Sequence, residues 1–171
     1  MKNYLRLSIV LVFLLIGTTS FAQNLKFGHI NSQELLSLMP ERDSAQLTLE
    51  NYATQLEEQL ETMQVEYNTK VQQYLANQEN YTDLIKQTKE QELADMQERI
   101  QGFQTTAQQE IQQKEAQLIQ PIIDKAEQAI KDVAEEEGFT YIFDLARGSI
   151  LYFSETSQDI LPLVKIKLNI Q

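Results

Sequence analysis

The chain is sparing with the side chains that do chemistry. It has no cysteine, no tryptophan and one histidine, His29, set in Leu25-Lys26-Phe27-Gly28-His29-Ile30. A single histidine with no thiol beside it has no partners for a metal site, so it reads as a structural strand position. No phosphate-cradling glycine loop and no zinc-ligand spacing is present. Carboxylates are plentiful, but Glu57-Glu58, Glu90 with Glu92, and Glu135-Glu136-Glu137 lie in polar helical stretches, where a solvated face explains them. The acidic run before Gly138 lacks the loop of spaced oxygens that calcium requires. No catalytic, cofactor-binding or metal residue is therefore expected, and no enzyme. What remains is tyrosine: Tyr67, Tyr74 and Tyr81 recur at seven-residue spacing. Two readings stay open for them. Tyr67 and Tyr74 can seal a seam between helices, or all three can offer polypeptide a weakly adhesive surface, because tyrosine combines contact area with a polar handle.

The element that must position these tyrosines runs from Glu41 to Glu137. It contains one proline, Pro121, and one glycine, Gly102, among many Gln, Glu, Leu and Ala. Unbroken, such a helix would measure about 145 Å. Periodicity lapses at Asn77-Gln78-Glu79-Asn80-Tyr81-Thr82-Asp83, where turn and capping residues gather, so the sequence predicts two long helices folded back on each other. The ascending helix carries Leu49, Tyr52, Leu56, Leu60, Met63, Tyr67, Val71 and Tyr74, an eleven-residue repeat that makes a narrow, nearly straight stripe. The descending helix begins near Thr82 or Asp83. It carries Leu93, Met96, Ile100, Phe103, Ala107 and Ile111, then a widening apolar face from Leu118 to Val133. A kink is expected at Pro121. Seventeen glutamines lie between Gln55 and Gln120, so these helices are expected to be wet and mobile rather than set in a dry core.

The flanks define the rest. Lys2 and Arg6, the apolar run Leu7 to Ile16, and Ser20-Phe21-Ala22 make residues 1–22 a signal peptide cleaved after Ala22. That removes two basic residues and no acid, so the mature chain carries 12 Lys and Arg against 25 Asp and Glu, a net charge of −13. Such a balance excludes a nucleic-acid binder and disfavours docking on an anionic membrane. Residues 23–171 suffice for one domain. The fold class is α+β. The body is residues 23–40 and 121–171, and the arm is residues 41–120 with its tip near 77–83. Residues 25–30 read as a strand, and Asn31 or Ser32 can cap a short helix ending before Pro40. Gly138 ends the descending helix. Phe139 to Asp144 and Ser149 to Phe153 read as a β-hairpin about Ala146-Arg147-Gly148. In the last segment Val164, Ile166, Leu168 and Ile170 alternate as a strand does, whereas Pro162 suits the first turn of a helix. Three short strands and a few helix ends bury too little and leave strand edges bare, so an obligate oligomer is expected. The residues expected to line that oligomeric body are Phe27, Ile30, Phe139, Tyr141, Ile142, Phe143, Leu151 and Phe153.

This order of elements resembles the Skp/OmpH family of periplasmic chaperones. The stretches that carry the resemblance are Lys26 to Asn31 with Pro40-Glu41, Pro121-Ile122-Ile123-Asp124-Lys125, Ala129 to Ala134, Gly138 to Asp144, and Asp159-Ile160. The body motifs are moderately specific, while the arms resemble any polar coiled coil. The resemblance implies a homotrimer whose strands combine into a central body, with helical hairpins around a cavity. It implies ATP-independent binding of unfolded outer-membrane proteins there, through residues such as Tyr67, Tyr74 and Tyr81, in the periplasm. It also implies a short helix after Asp159-Ile160. The charge departs from the family pattern. Lys70, Lys86 and Lys89 near the tip are opposed by Glu79, Asp83, Glu90 and Glu92, which argues against lipopolysaccharide or membrane contact and against electrostatic capture of clients. The competing expectation is a non-enzymatic periplasmic coiled-coil spacer or adaptor.

Overall fold

The computed structural model describes residues 25–146 and 148–170. The expected signal peptide and Arg147 lie outside the described residues. Strand β1 (Phe27–Ile30) leads into helix α1 (Ser32–Leu38), where Asn31 is the cap: its side-chain oxygen accepts the Glu34 backbone N–H at 3.1 Å. Helix α2 (Pro40–Asn77) starts on its proline, whose missing N–H is not needed in a first turn. A single 3₁₀ turn (Gln78–Asn80) reverses the chain, and Thr82 caps helix α3 (Asp83–Glu136) by accepting the Ile85 N–H. At 1.5 Å per residue, the 38 residues of α2 span about 57 Å and the 54 of α3 about 81 Å.

The two helices meet along the predicted stripe. All eight residues from Leu49 to Tyr74 are half-buried, as are Leu93, Met96, Ile100, Phe103, Ala107 and Ile111 opposite them. Buried residues occur only at the base, with Ala45 on α2 and Ile122, Ala126, Ala129 and Val133 on α3. Helix α3 continues through Pro121. The proline faces solvent, and so does Gln117, whose carbonyl loses its helical donor to the ring and is open to water instead.

Helix α3 ends in a Schellman motif. Gly138 takes φ +69°, its N–H reaches the Glu135 carbonyl, and the Phe139 N–H reaches the Ala134 carbonyl at 2.9 Å. Strand β2 (Tyr141–Asp144) then pairs with β1 in parallel, Phe27 opposite Tyr141 and Ile30 opposite Asp144. Strand β3 (Gln158–Asp159) pairs in parallel with the other edge of β1, giving the order β2-β1-β3. Helix α4 (Leu161–Leu168) closes the body. The core beneath the sheet holds Ile30, Leu35, Met39, Ile160 and Val164 together with the base of the arm.

One sequence expectation is corrected here. Residues 149–153 are not the second strand of a hairpin: they form no strand, and the third strand is Gln158–Asp159 instead. The inner edge of β2 is taken by β1, so a local turn after β2 does not determine its partner. The short helix expected after Asp159-Ile160 is present as α4, so the C-terminal alternation does not mark a strand. Val164 is buried and Leu168 half-buried at helical i, i+4 spacing while Ile166 is 74 % exposed, and Asn169 terminates the helix in the left-handed region at φ 56°.

Candidate functional site

Tyr74 closes the last seam position of α2, and Tyr81 follows the reversal. Their rings stack with centroids 6.3 Å apart and planes 28° from parallel, and Tyr74 Oη donates to Glu90 Oε1 at 2.5 Å. That hydrogen bond, then desolvation, raises the Tyr74 pKa. Tyr67 is half-buried two turns nearer the body and lies outside this stack. The structure thus brings two of the three expected tyrosines together and uses their rings to seal the tip of the hairpin. Tyr52 does the same work near the base. Its Oη donates to Glu110 at 3.2 Å and Lys114 Nζ sits 5.8 Å from its ring centroid, while partial desolvation followed by Glu110 raises its pKa.

Around the tyrosine stack, Lys70, Gln73, Lys89, Glu92 and Leu93 line a dent of about 50 Å³. Lys89 pairs with Glu92 at 2.8 Å, which raises the lysine and lowers the carboxylate. Below it, Glu66, Lys70, Glu92, Asp95 and Arg99 border a second, wider groove of about 250 Å³. Acids and bases are interleaved there, so the tip offers no field of one sign. Sequence reasoning passed over three exposed apolar residues at this end: Leu75, Leu84 and Ile85, at 56, 74 and 42 % exposure. They sit off the seam stripe, where periodicity does not look.

At the base of the arm, Lys125 and Glu41 pair across the two helices, and the Lys125 hydrogen bond lowers the Glu41 pKa. On the body, Phe27, Tyr141 and Phe143 form a three-ring cluster with all centroid separations between 6.1 and 6.3 Å. The residues expected to line an oligomeric body divide into two groups. Ile30 is buried, and Phe139 and Ile142 are half-buried against the chain's own core. Phe27, Tyr141, Phe143, Leu151 and Phe153 are exposed. His29 is a buried strand residue whose Nδ1 is 2.8 Å from Ser157 Oγ and whose ring stacks on Phe153 at 4.2 Å. Among the described residues no cluster of acidic or histidine side chains is placed to hold a metal ion, and no helix is long and apolar enough to cross a membrane.

A long antiparallel helical hairpin standing on a small body with a three-stranded parallel sheet defines an α+β protein. Residues 26–168 match the family described as Outer membrane protein (OmpH-like), and the chain belongs to that family. It is a non-enzymatic chaperone family of the periplasm, associated with outer-membrane proteins. Comparison with curated proteins gives no match.

Proposed function

We propose that this protein is an ATP-independent periplasmic holdase, exported by its first 22 residues, that keeps unfolded outer-membrane proteins soluble between the arms of a homotrimer. The observation that carries the reading is the contrast within α2 and α3. At their base the two helices are part of a buried core, and along the rest of their length they are joined by a half-buried stripe with the Tyr52–Glu110 and Tyr74–Glu90 hydrogen bonds across it. A half-buried leucine or methionine contributes about 1 kcal/mol, half of what full burial contributes. Such an arm can part and reclose around an irregular occupant without unfolding the body. The division into an arm (residues 41–120) and a body (23–40 and 121–171) belongs to this proposal. So does client contact at Tyr67, Tyr74 and Tyr81, which parting of the helices would uncover.

The test is dilution of a urea-denatured outer-membrane β-barrel protein into buffer containing the purified protein, followed by light scattering. Suppression of aggregation at stoichiometric amounts is expected. Unchanged turbidity would assign the molecule to the spacer or adaptor class. The arm residues 41–120 contain 15 acidic and 6 basic side chains, so capture by opposite charge is disfavoured and the contact is mainly apolar and multivalent. Holding should therefore persist at ~0.5 M salt, where the Debye length is only about 4 Å, and release there would overturn the apolar mechanism.

A further inference from the structure

The arm carries two of the chain's four methionines, and the fold sets them against each other. Met63 on α2 and Met96 on α3 are half-buried and border one gap of about 10 Å³, together with Glu66, Arg99 and Ile100. Both lie roughly 20 Å below the tip, counted along their own helices. The Tyr52–Glu110 and Tyr74–Glu90 hydrogen bonds cross the seam on either side of this pair. Between those two crossings, among the described residues, no other hydrogen bond or salt bridge joins α2 to α3. Apolar contact holds the stretch in which the two sulfurs sit.

Met39 is the contrast within the same molecule. It is 1 % exposed, in the core with Ile30, Leu35 and Val164, whereas the arm pair is within reach of solvent. The chain has no cysteine, so thioethers are its only sulfur and no thiol competes for an oxidant. A gap of this size holds about one water molecule, and so it admits an oxidant of similar size. A methionine sulfur that takes up an oxygen atom becomes a polar sulfoxide, which disrupts apolar contacts. Here the new oxygen would face Ile100 and the opposite methionine. The side chain bordering the gap that can donate to it is Arg99, which is exposed. A sulfoxide therefore gains a partner by turning outward and leaving the seam.

We propose that Met63 and Met96 are an oxidation-sensitive joint of the arm, with a peroxide as the reactant. The sulfur lone pair forms the S–O bond as the O–O bond breaks, and the sulfur gives up two electrons. The proton of the transferred hydroxyl goes to the departing oxygen, which leaves as water when the oxidant is hydrogen peroxide. The seam then loses the apolar contribution of a half-buried thioether, and the parted state gains about fivefold for each sulfur oxidised. The body, whose methionine is enclosed, keeps its packing. The change is reversible, because sulfoxide reductases restore the thioether. An oxidised arm admits an occupant more readily, a consequence that rests on the holding role proposed above, whereas the joint itself does not.

The test is brief treatment of the purified protein with dilute hydrogen peroxide, followed by mass spectrometry of proteolytic fragments. One oxygen atom is expected on Met63 and one on Met96, while Met39 stays a thioether. Hydrogen exchange of the oxidised protein should quicken in the arm around the pair, about fivefold for one sulfoxide and up to about thirtyfold for two, and stay unchanged in β1, α1 and α4. Met63→Leu with Met96→Leu nearly conserves the volume of the seam and removes its sulfur, so this variant should not respond to peroxide. Met63→Gln with Met96→Gln supplies a polar group without oxidant and should reproduce the faster exchange. Oxidation of Met39 as fast as the arm pair overturns the joint, as does unchanged arm exchange once Met63 and Met96 are oxidised, or an equal response from the leucine variant. In light scattering with a urea-denatured β-barrel client, the oxidised protein should leave less turbidity than the untreated protein at the same ratio to client. Equal or greater turbidity overturns the consequence for clients. Protein that suppresses no aggregation in either form refutes the holding role, and the exchange measurement still decides the joint.

Discussion

Gly102 offers the sharpest test of how the arm is held. It lies in the middle of α3 on the exposed side, and a Cβ placed there meets nothing within 4 Å. Gly102→Ala therefore adds no contact and no clash, and its effect is confined to backbone preference. Alanine is favoured over glycine inside a helix by about 0.8–1.0 kcal/mol. If the arm opens locally, by separation and fraying of helices joined only by a half-buried seam, this difference belongs to the open–closed equilibrium of the arm alone. At RT of about 0.59 kcal/mol it slows opening-limited amide exchange there about fivefold. Amides of β1, α1 and α4, which surround Ile30, Leu35 and Val164, should exchange at the wild-type rate. Hydrogen exchange read by mass spectrometry on proteolytic fragments resolves the two regions. Equal slowing in arm and body would show that they open as one unit, and no slowing in the arm would show that helix stability does not limit its opening. Either result refutes the idea of an arm that parts above a fixed body.

At Gly28 the effect of adding a methyl should be opposite, since a Cβ would lie 3.0 Å from Phe139 Cε1 and 3.1 Å from Ile160 Cγ2. Gly28→Ala should cost about 1–3 kcal/mol in chemical denaturation, toward the low end if the half-buried Phe139 ring can turn aside. The folded-state pKa of Glu41 is lowered by Lys125, so the pair stabilises above the ordinary carboxylate range and that stability is lost as pH falls through the lowered value. Both side chains are nearly half exposed, so Glu41→Gln should remove no more than about 1 kcal/mol at neutral pH and flatten the acid limb of the stability curve. Tyr52 and Tyr74 are both raised, so their hydrogen-bonded forms stabilise below the ordinary tyrosine value and are lost as pH climbs through the raised one. In an ultraviolet titration Tyr52→Phe and Tyr74→Phe should each remove one late-ionising phenol.

The features readable from sequence were those written in short-range spacing. The eleven-residue repeat fixes which face of α2 meets α3, and all eight of its positions are half-buried. Asn31, Thr82 and Gly138 mark helix ends because each satisfies backbone groups that a helix terminus leaves unpaired, and all three do so here. The sheet was far less legible. A parallel ladder between β1 and β2 leaves no turn signature, because the whole arm is the connection between them. The strand-like residues 149–153 carry the right composition with no partner in their own chain, and composition cannot name a partner. Asp144 illustrates the same limit. Its carboxylate accepts the Ser32 N–H at 3.1 Å and the Ser32 hydroxyl at 2.7 Å, tying the end of β2 to the start of α1, and nothing near Asp144 in sequence announces this. At the candidate site, spacing placed Tyr67 and Tyr74 on the seam, but the exposed Leu75, Leu84 and Ile85 were missed because they lie off it.

The weakness of the seam and the closing of the body are linked. Ser32 and Asp144 are 112 residues apart, and tying the ends of an unstructured loop of that length costs about 4 kcal/mol beyond a constant. A zipped hairpin removes most of that cost, because it holds the start of α2 and the end of α3 in the same place. The base of the arm therefore belongs to the body in energy as well as in position. Ala45 packs into the same core as Ile122 and Ala126, and the Glu41–Lys125 pair bridges the two helices there. Toward the tip this obligation fades, and seam residues are only half-buried. Under the holding role proposed above, this step from a buried core at the base to a half-buried seam beyond it would let the arm part above the base while the strands that join it to the body stay in register.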